Sequence, residues 1–213
     1  MPLRAVLFDF DGLILDTETP EKQAWHEIFA RYGLEFPDLL WMTMIGQSAP
    51  DIQALPFEHL DRVIGTPVDR AALAAECREM RLEIIDQKPP MPGAIEAIEA
   101  CERHGLRKAV VSSSGRAWVT RNLARLGLLD RFEFLVCGYE GLPSKPAPDL
   151  YLAAIERLGL PASDCLALED SPNGIRAAKA ASLTVVAVPN ELTIQLDLSQ
   201  ADLRLASLRE WRP

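Results

Sequence analysis

The sequence predicts an α/β protein: a parallel, Rossmann-like sheet with helices on both faces, plus a small all-helical domain inserted after the first strand. Three observations support this prediction. From residue 107 onward, short apolar runs alternate with helical patterns, which is typical of β/α units. These runs are apolar on both faces, as buried parallel strands are. The region 16–90 carries no strand pattern and looks helical in several pieces, which indicates an insertion.

The first strand is the apolar run 5–8, which ends in a turn. Helical periodicity then predicts helices at 18–31, 37–45, 55–64 and 69–86. Pro89, Pro90 and Pro92 stop the last of these, because proline lacks an amide hydrogen and fixes φ. We interpret this stiff segment as a hinge. It separates a predicted core domain, residues 1–15 and 91–213, from a predicted helical cap domain, residues 16–90.

After a helix at 93–104, strands and helices are predicted to alternate. The strands are 107–112, 134–137, 165–168, 184–188 and a weak one at 203–205; the helices are 117–126, 149–158 and 173–180. Right-handed crossovers bring the carboxyl ends of parallel strands to one edge of the sheet, where ligands bind in open α/β folds. We expect the site at this edge, with the helical insertion above it as a lid.

Composition narrows the class of protein. With 213 residues, 48% hydrophobic and 25% charged, the chain can bury one sizeable core and a smaller domain. Its net charge of −9 disfavours nucleic acid or an anionic membrane as partner, so we expect a small ligand and a monomer or weak homo-oligomer. No signal peptide or membrane span is evident, which favours the cytoplasm. The four cysteines lie far apart, without a CxxC pair, and are expected to be reduced thiols of the core.

Polar side chains follow four of the predicted strands. Asp9 and Asp11 come after the first strand, and their i, i+2 spacing lets both carboxylates meet one ligand. Two close carboxylates repel each other, so a cation, a shared proton or a phosphoryl group is needed to balance them. The other strand ends carry hydroxyls, an ammonium and two acids: Ser112, Ser113 and Ser114; Lys145; Glu169 and Asp170.

The segments DFDGLILDTE, VVSSSG, SKPAPD and LEDSPNGI, in this order and spacing, resemble the four motifs of the haloacid dehalogenase superfamily. The insertion resembles the helical cap of its β-phosphoglucomutase-like branch. The resemblance implies a Mg²⁺-dependent phosphatase that acts on a small phosphorylated metabolite such as a sugar or polyol phosphate. Hard oxygen ligands without a soft competitor suit that ion.

The resemblance also implies a role for each matching residue. Asp9 would be the nucleophile that forms an aspartyl-phosphate, and Asp11 would be the general acid and base. The ion would be held by Asp9, the main-chain carbonyl of Asp11, Asp170 and Glu169, the last directly or through water. Ser112 and the Ser113 amide would bind phosphoryl oxygens, and Lys145 would offset the charge of the phosphoryl group and Asp9.

Structural explanations compete with these roles. The serine run could cap the helix that follows it, Glu169 and Asp170 could cap the helix after Pro172, and Lys145 could be a solvated loop cation. In the insertion, Trp25, Phe29, Trp41 and Met44 are expected to pack together. Gln47 and Ser48, which follow a glycine, are the candidates for substrate contact.

Other functions remain open. A phosphomutase would share every core residue, but its branch carries a histidine aligned with Glu21 and an arginine near Ala49, and neither is present here. Dehalogenase chemistry needs neither the metal nor Asp11. Phosphonate cleavage would want a Schiff-base lysine in a cap that is poor in lysine. A phosphate-sensing protein could hold an acyl-phosphate, although the intact Asp11 argues against so slow a switch.

Overall fold

The computed structural model describes residues 3–44 and 50–213, and the chain divides into two compact units. One comprises Met1–Leu15 with Pro89–Pro213, and the other is Asp16–Lys88. Gln47, Ser48 and Ala49, together with the predicted end of the helix 37–45, lie outside the described residues.

In the described part of the chain, the first unit contains a parallel sheet of six strands. They are β1 Ala5–Phe8, β2 Arg107–Gly115, β3 Phe134–Gly138, β4 Cys165–Glu169, β5 Thr184–Ala187 and β6 Leu203–Arg204. Their order across the sheet is β3-β2-β1-β4-β5-β6. The strand β1 lies at the centre of the sheet, where its Leu7 pairs with Ala109 of β2 on one side and with Ala167 of β4 on the other. The direction of strand addition therefore reverses beside β1, which is where an open α/β sheet forms its crevice.

Helices cover both faces of this sheet, as the sequence predicts: α5 Ala94–Arg103, α6 Arg116–Arg125, α7 Asp149–Leu158 and α8 Pro172–Ala180. All four residues of β1 are fully buried, which explains why its sequence is apolar without alternation. The four cysteines are buried and form no disulfide. The predicted strand at 203–205 is present as the two residues of β6.

The main departure from the predicted elements is at the end of β2. The prediction ends this strand at Ser112, whereas β2 continues to Gly115, with an irregularity in its register against β3. Gly138 of β3 permits the extension, because a Cβ atom there would lie 2.0 Å from the carbonyl oxygen of Ser113. The serine run is therefore strand rather than a turn before the helix.

The second unit consists of the helices α1 Glu18–Arg31, α2 Asp38–Met44, α3 Pro50–Ile64 and α4 Arg70–Gln87. α3 begins five residues before the predicted start at 55 and continues through Pro56. Trp25, Phe29, Trp41 and Met44 are buried, as expected, and Trp25 makes an edge contact with Phe57 at a ring distance of 5.1 Å. Lys88 and Asp16, at the two ends of this unit, form an ion pair of 2.8 Å.

Candidate active site

Two paired strands at the centre of the sheet supply the three acids of the candidate metal site. β1 delivers Asp9, and β4 delivers Glu169 and Asp170, at neighbouring positions because the two strands are paired. All three carboxylates are buried. The Asp9 amide donates to the Leu168 carbonyl at 3.0 Å, which extends the pairing of the two strands to the nucleophile candidate itself.

Lys145 joins these acids from the loop between β3 and α7. Its Nζ atom donates to Asp9 Oδ1 at 2.5 Å, to Glu169 Oε1 at 2.6 Å and to the Val111 carbonyl at 2.8 Å. The side chain is 5% exposed, so the interpretation of Lys145 as a solvated loop cation is wrong. An ammonium with three acceptors in a water-poor site has a fixed position.

Burial dominates the electrostatics of Asp9. It raises the pKa of Asp9 to about 8; Lys145 opposes this rise, and the Glu169 and Asp11 carboxylates add to it. For Lys145, burial alone would lower the pKa, but the Asp9 and Glu169 carboxylates outweigh burial and raise it. Lys145 therefore keeps its proton, while Asp9 needs further positive charge to ionise fully at neutral pH.

The donor set fits a hard divalent cation. Asp9, Glu169 and Asp170 each offer a carboxylate oxygen, and these oxygens lie within 4.8 Å of one another. Lys145 Nζ binds one oxygen of Asp9, and no residue that the structure describes donates a hydrogen bond to the other. Three buried acids around a single ammonium leave excess negative charge, which a divalent cation would balance.

Asp11 is held by donors from the β2–α6 junction. Ser112 and Ser114 donate to its Oδ2 at 3.1 and 2.7 Å, and the indole nitrogen of Trp118 donates to its Oδ1 at 2.9 Å. Ser112 and Ser114 share a face of the extended β2, which explains why both hydroxyls reach one oxygen. The Ser112 hydroxyl also accepts from the Ser114 amide at 2.9 Å.

The helix-cap explanations do not hold. Gly115 occupies the N-cap of α6 and makes no side-chain cap bond. At α8 the cap is Ser171, whose hydroxyl accepts from the Gly174 amide at 3.1 Å. The serines of β2 and the acids that end β4 therefore serve something other than helix capping. The structure places Ser113 in β2, three residues before α6 begins, rather than at the helix end itself.

Three residues of the site were missed by sequence reasoning: Trp118 in α6, Tyr151 in α7 and Asn190 after β5. The buried Tyr151 hydroxyl donates to Glu169 Oε1 at 2.6 Å, and its ring lies beneath Lys145 Nζ at 5.0 Å. Asn190 donates to Asp170 Oδ2 at 2.8 Å. Tyr151 and Asn190 are polar residues close to motifs, but neither has a spacing that marks it.

Two glycines make room for the acids. A Cβ atom on Gly174 would lie 1.9 Å from Glu169 Oε2, and one on Gly12 would lie 2.3 Å from Asp170 Oδ2. Gly12 also has a φ of 85°, in the left-handed region that favours glycine. A side chain at either position would collide with a carboxylate of the candidate metal site.

Comparison with known proteins shows the family of the chain. The sequence model of the family described as haloacid dehalogenase-like hydrolase matches residues 3–182. The chain belongs to this family. The predictions of the family, of an α/β fold and of an enzyme are therefore confirmed, and we refer to the protein below as the hydrolase.

Relatives resemble the hydrolase over nearly its whole length. It is 38% identical to the protein YhcW of Bacillus subtilis (strain 168) over 98% of this chain and 93% of YhcW. It is 32% identical to hexitol phosphatase B of Escherichia coli (strain K12), over 97% and 93% of the two chains. Its identity to the fructose-1-phosphate phosphatase YqaB of the same organism is also 32%, over 86% and 95%.

Solved structures share the fold. A family member from Deinococcus radiodurans R1, determined with bound phosphate and sodium, superimposes with a TM-score of 0.82 at 26% identity, over 98% of this chain and 93% of that chain. In the part of the hydrolase that the structure describes, no helix is both long and apolar enough to cross a membrane.

Proposed function

We propose that the hydrolase is a Mg²⁺-dependent phosphatase that acts on a small sugar or polyol phosphate through an aspartyl-phosphate on Asp9. The observation that carries this proposal is the contact of Asp9 with Lys145 within a cluster of buried acids at the carboxyl edge of the sheet. Two relatives, named as hexitol and fructose-1-phosphate phosphatases, support the choice of substrate class. The helical unit Asp16–Lys88 is proposed to be the cap that selects the substrate.

In the first step, a carboxylate oxygen of Asp9 attacks phosphorus and the bond from phosphorus to the leaving oxygen breaks. Asp11 gives its proton to that oxygen, so that the alcohol departs neutral. Lys145 holds Asp9 in place and offsets the charge that collects on the phosphoryl oxygens. Ser112 and the Ser113 amide are proposed to donate to those oxygens.

In the second step, water attacks phosphorus, Asp11 takes the proton of the water, and the bond between Asp9 and phosphorus breaks to release inorganic phosphate. Asp9, Glu169 and Asp170 would hold the cation, with the Asp11 carbonyl. When bound, the cation would supply positive charge that helps Asp9 to ionise and neutralises the transferring group. The four acids and Lys145 thus account for both half-reactions.

The test is phosphate release from a panel of sugar, polyol and other metabolite phosphates, with and without Mg²⁺. Asp9→Asn should lower turnover by about 10³-fold or more, because it removes the nucleophile. Asp164→Asn is a matched control: it makes the same change at a buried aspartate that precedes β4, at the opposite end of the strand from Glu169. No release from any ester by folded protein would refute the proposal.

A phosphomutase remains the alternative to be tested in the same assay. Glu21 occupies the position at which a phosphomutase of this branch carries a histidine. Its carboxylate accepts a hydrogen bond from Arg81 at 2.9 Å within the helical unit, and the two residues form an ion pair. An acid repels a second phosphate, which favours water as the final acceptor. Conversion of a sugar phosphate to its isomer faster than phosphate release would reverse this choice.

A further inference from the structure

We infer that Asn190 is a positioning residue for the cation site: it fixes the Asp170 carboxylate in the orientation that binds the ion. This inference rests on the proposed function, because it concerns the cation proposed there. Asn190 lies in the loop after β5, outside the four motifs that predict the site.

The orientation of the Asn190 amide is determined by its surroundings. Its Oδ1 accepts from the amides of Leu192 and Thr193 at 2.9 and 3.0 Å, so the nitrogen must face the other way. That nitrogen donates to Asp170 Oδ2 at 2.8 Å and lies 3.3 Å from the Gly12 carbonyl. A side chain fixed at one end by two main-chain donors can hold a carboxylate rigidly at the other.

The contact joins three strand ends. Gly12 follows β1, Asp170 follows β4, and Asn190 follows β5. A Cβ atom on Gly12 would lie 2.7 Å from Asn190 Nδ2 as well as 2.3 Å from Asp170 Oδ2, so the missing side chain of Gly12 is what permits the contact. The amide is neutral, so it orients Asp170 without competing with a cation for its charge.

Hydrogen bonds that orient a metal ligand contribute to metal affinity, and their removal typically weakens binding about 10- to 100-fold. Without the Asn190 donor, the Asp170 carboxylate loses one of the contacts that fix its orientation toward Asp9 and Glu169. The dissociation constant of the cation should therefore rise even in the absence of substrate.

The experiment is a titration of the folded protein with Mn²⁺, a probe for the proposed Mg²⁺ site, followed by the electron paramagnetic resonance signal of the free ion. Asn190→Ala should raise the Mn²⁺ dissociation constant about 10- to 100-fold, and excess Mg²⁺ should displace Mn²⁺ from the wild type. Circular dichroism establishes that the variant is folded at the titration temperature.

Two control variants separate this effect from a general loosening of the structure. Thr193→Val removes the hydroxyl that accepts from the Asn190 main-chain amide at 3.0 Å but leaves the Asn190 side chain in place. Asn122→Ala removes a buried amide that donates to the Trp118 carbonyl of α6 at 3.0 Å. Each should keep the Mn²⁺ dissociation constant within about threefold of the wild type, well short of the 10- to 100-fold effect of a lost orienting bond.

The outcomes are distinguishable. Unchanged Mn²⁺ affinity in Asn190→Ala, or an equal loss in Thr193→Val, would overturn the role of Asn190 and leave the proposed phosphatase untouched. A wild type that binds no Mn²⁺ would overturn the cation site together with this inference. Weaker binding confined to Asn190→Ala would support it.

Discussion

Asp9 combines burial with proximity to other acids, and this combination opposes its ionisation. It is 7% exposed, Lys145 supplies the nearby positive charge, and Glu169 and Asp11 add to the negative charge around it. The proposed nucleophile would be reactive in such a place because water does not shield its charge, but keeping the Asp9 carboxylate ionised lowers the stability of the folded state. Stability and chemistry therefore conflict at this residue.

We expect Asp9→Asn to stabilise the metal-free protein while abolishing turnover. The Asp9 pKa is raised from 3.8 to about 8 in the folded state, so the native protein binds more protons than the unfolded chain between these values. Wild-type stability should therefore fall as the pH rises from about 4 to about 8, and the variant should escape this loss. Each kcal/mol gained appears as roughly 2–4 °C in Tm for a chain of this size.

Thermal unfolding of both proteins across this pH range, without and with Mg²⁺, measures the difference. Mg²⁺ should reduce the difference in Tm between the variant and the wild type, because it favours the ionised Asp9 of the wild type. A difference in Tm that does not grow with pH would contradict the assignment of the loss of stability to the ionisation of Asp9.

Gly174→Ala should destabilise the protein although alanine is the better helix former. The substitution gains about 1 kcal/mol of helix propensity within α8. The new Cβ atom would lie 1.9 Å from the Glu169 carboxylate, however, and such overpacking costs about 1–3 kcal/mol. Denaturant unfolding should give a net loss, and metal affinity should fall with it. Gly115→Ala, where the nearest atom would be 3.7 Å away, is a control without a collision: it should cost only the preference of an N-cap for glycine over alanine, and it should leave metal affinity unchanged.

At the scale of elements, the extended end of β2 determines how Asp11 is held. Strand geometry places the Ser112 and Ser114 hydroxyls on one face, and the first turn of α6 adds the indole of Trp118. Asp11 is thus oriented by one continuous strand and helix, rather than by the flexible loop that a turn after Ser112 would have formed. Rigid elements position catalytic groups more accurately than loops do.

Trp118→Phe and Ser114→Ala should slow the hydrolysis of alkyl phosphates by about tenfold each, a fraction of what a general acid contributes. A burst of p-nitrophenol from p-nitrophenyl phosphate should be much less affected, because this leaving group departs without a proton. Ser114→Thr, which retains the hydroxyl, should restore the rate. Rapid-mixing kinetics with both substrates checks the result, and equal losses on the two would argue against orientation of the acid.

The sequence predicted most strands and helices because their signals are local: apolar runs, periodicity and prolines. It also indicated the acids, Lys145 and Ser112, because each lies in one of the four motifs. The end of β2 was missed because it depends on Gly138, a residue of another strand. Trp118 and Asn190 were missed because their hydrogen bonds join parts of the chain that are 107 and 20 residues apart, which no local pattern encodes.

At the scale of the whole molecule, the helical unit is an insertion that the sheet does not need for its own completion. Every strand pair lies within the unit Met1–Leu15 and Pro89–Pro213 in the described part of the chain. The Met91 amide donates to the Ile14 carbonyl at 2.8 Å, so the two ends of the insertion leave this unit side by side. A short loop could therefore replace the insertion.

We expect a variant in which a short glycine-rich loop replaces residues 16–88 to fold cooperatively and to bind Mn²⁺, since the acids and Lys145 belong to the retained unit. It should lose most of its discrimination among sugar phosphates, because the proposed cap would be gone. Circular dichroism, Mn²⁺ titration and the substrate panel measure these three properties. Unchanged selectivity would contradict the role of the insertion as the cap.

The central position of β1 in the sheet also has a consequence for folding during synthesis on the ribosome. β1 is synthesised before its partners: Ala109 and Ala167 follow Leu7 by about one hundred and one hundred and sixty residues. The helical insertion is synthesised before either partner strand of β1, so it can fold while β1 is still unpaired. Asp9 is thus made well before Glu169 and Asp170, which complete its surroundings. A nascent chain that stops before β4 carries Asp9 without the acids that would give it a function.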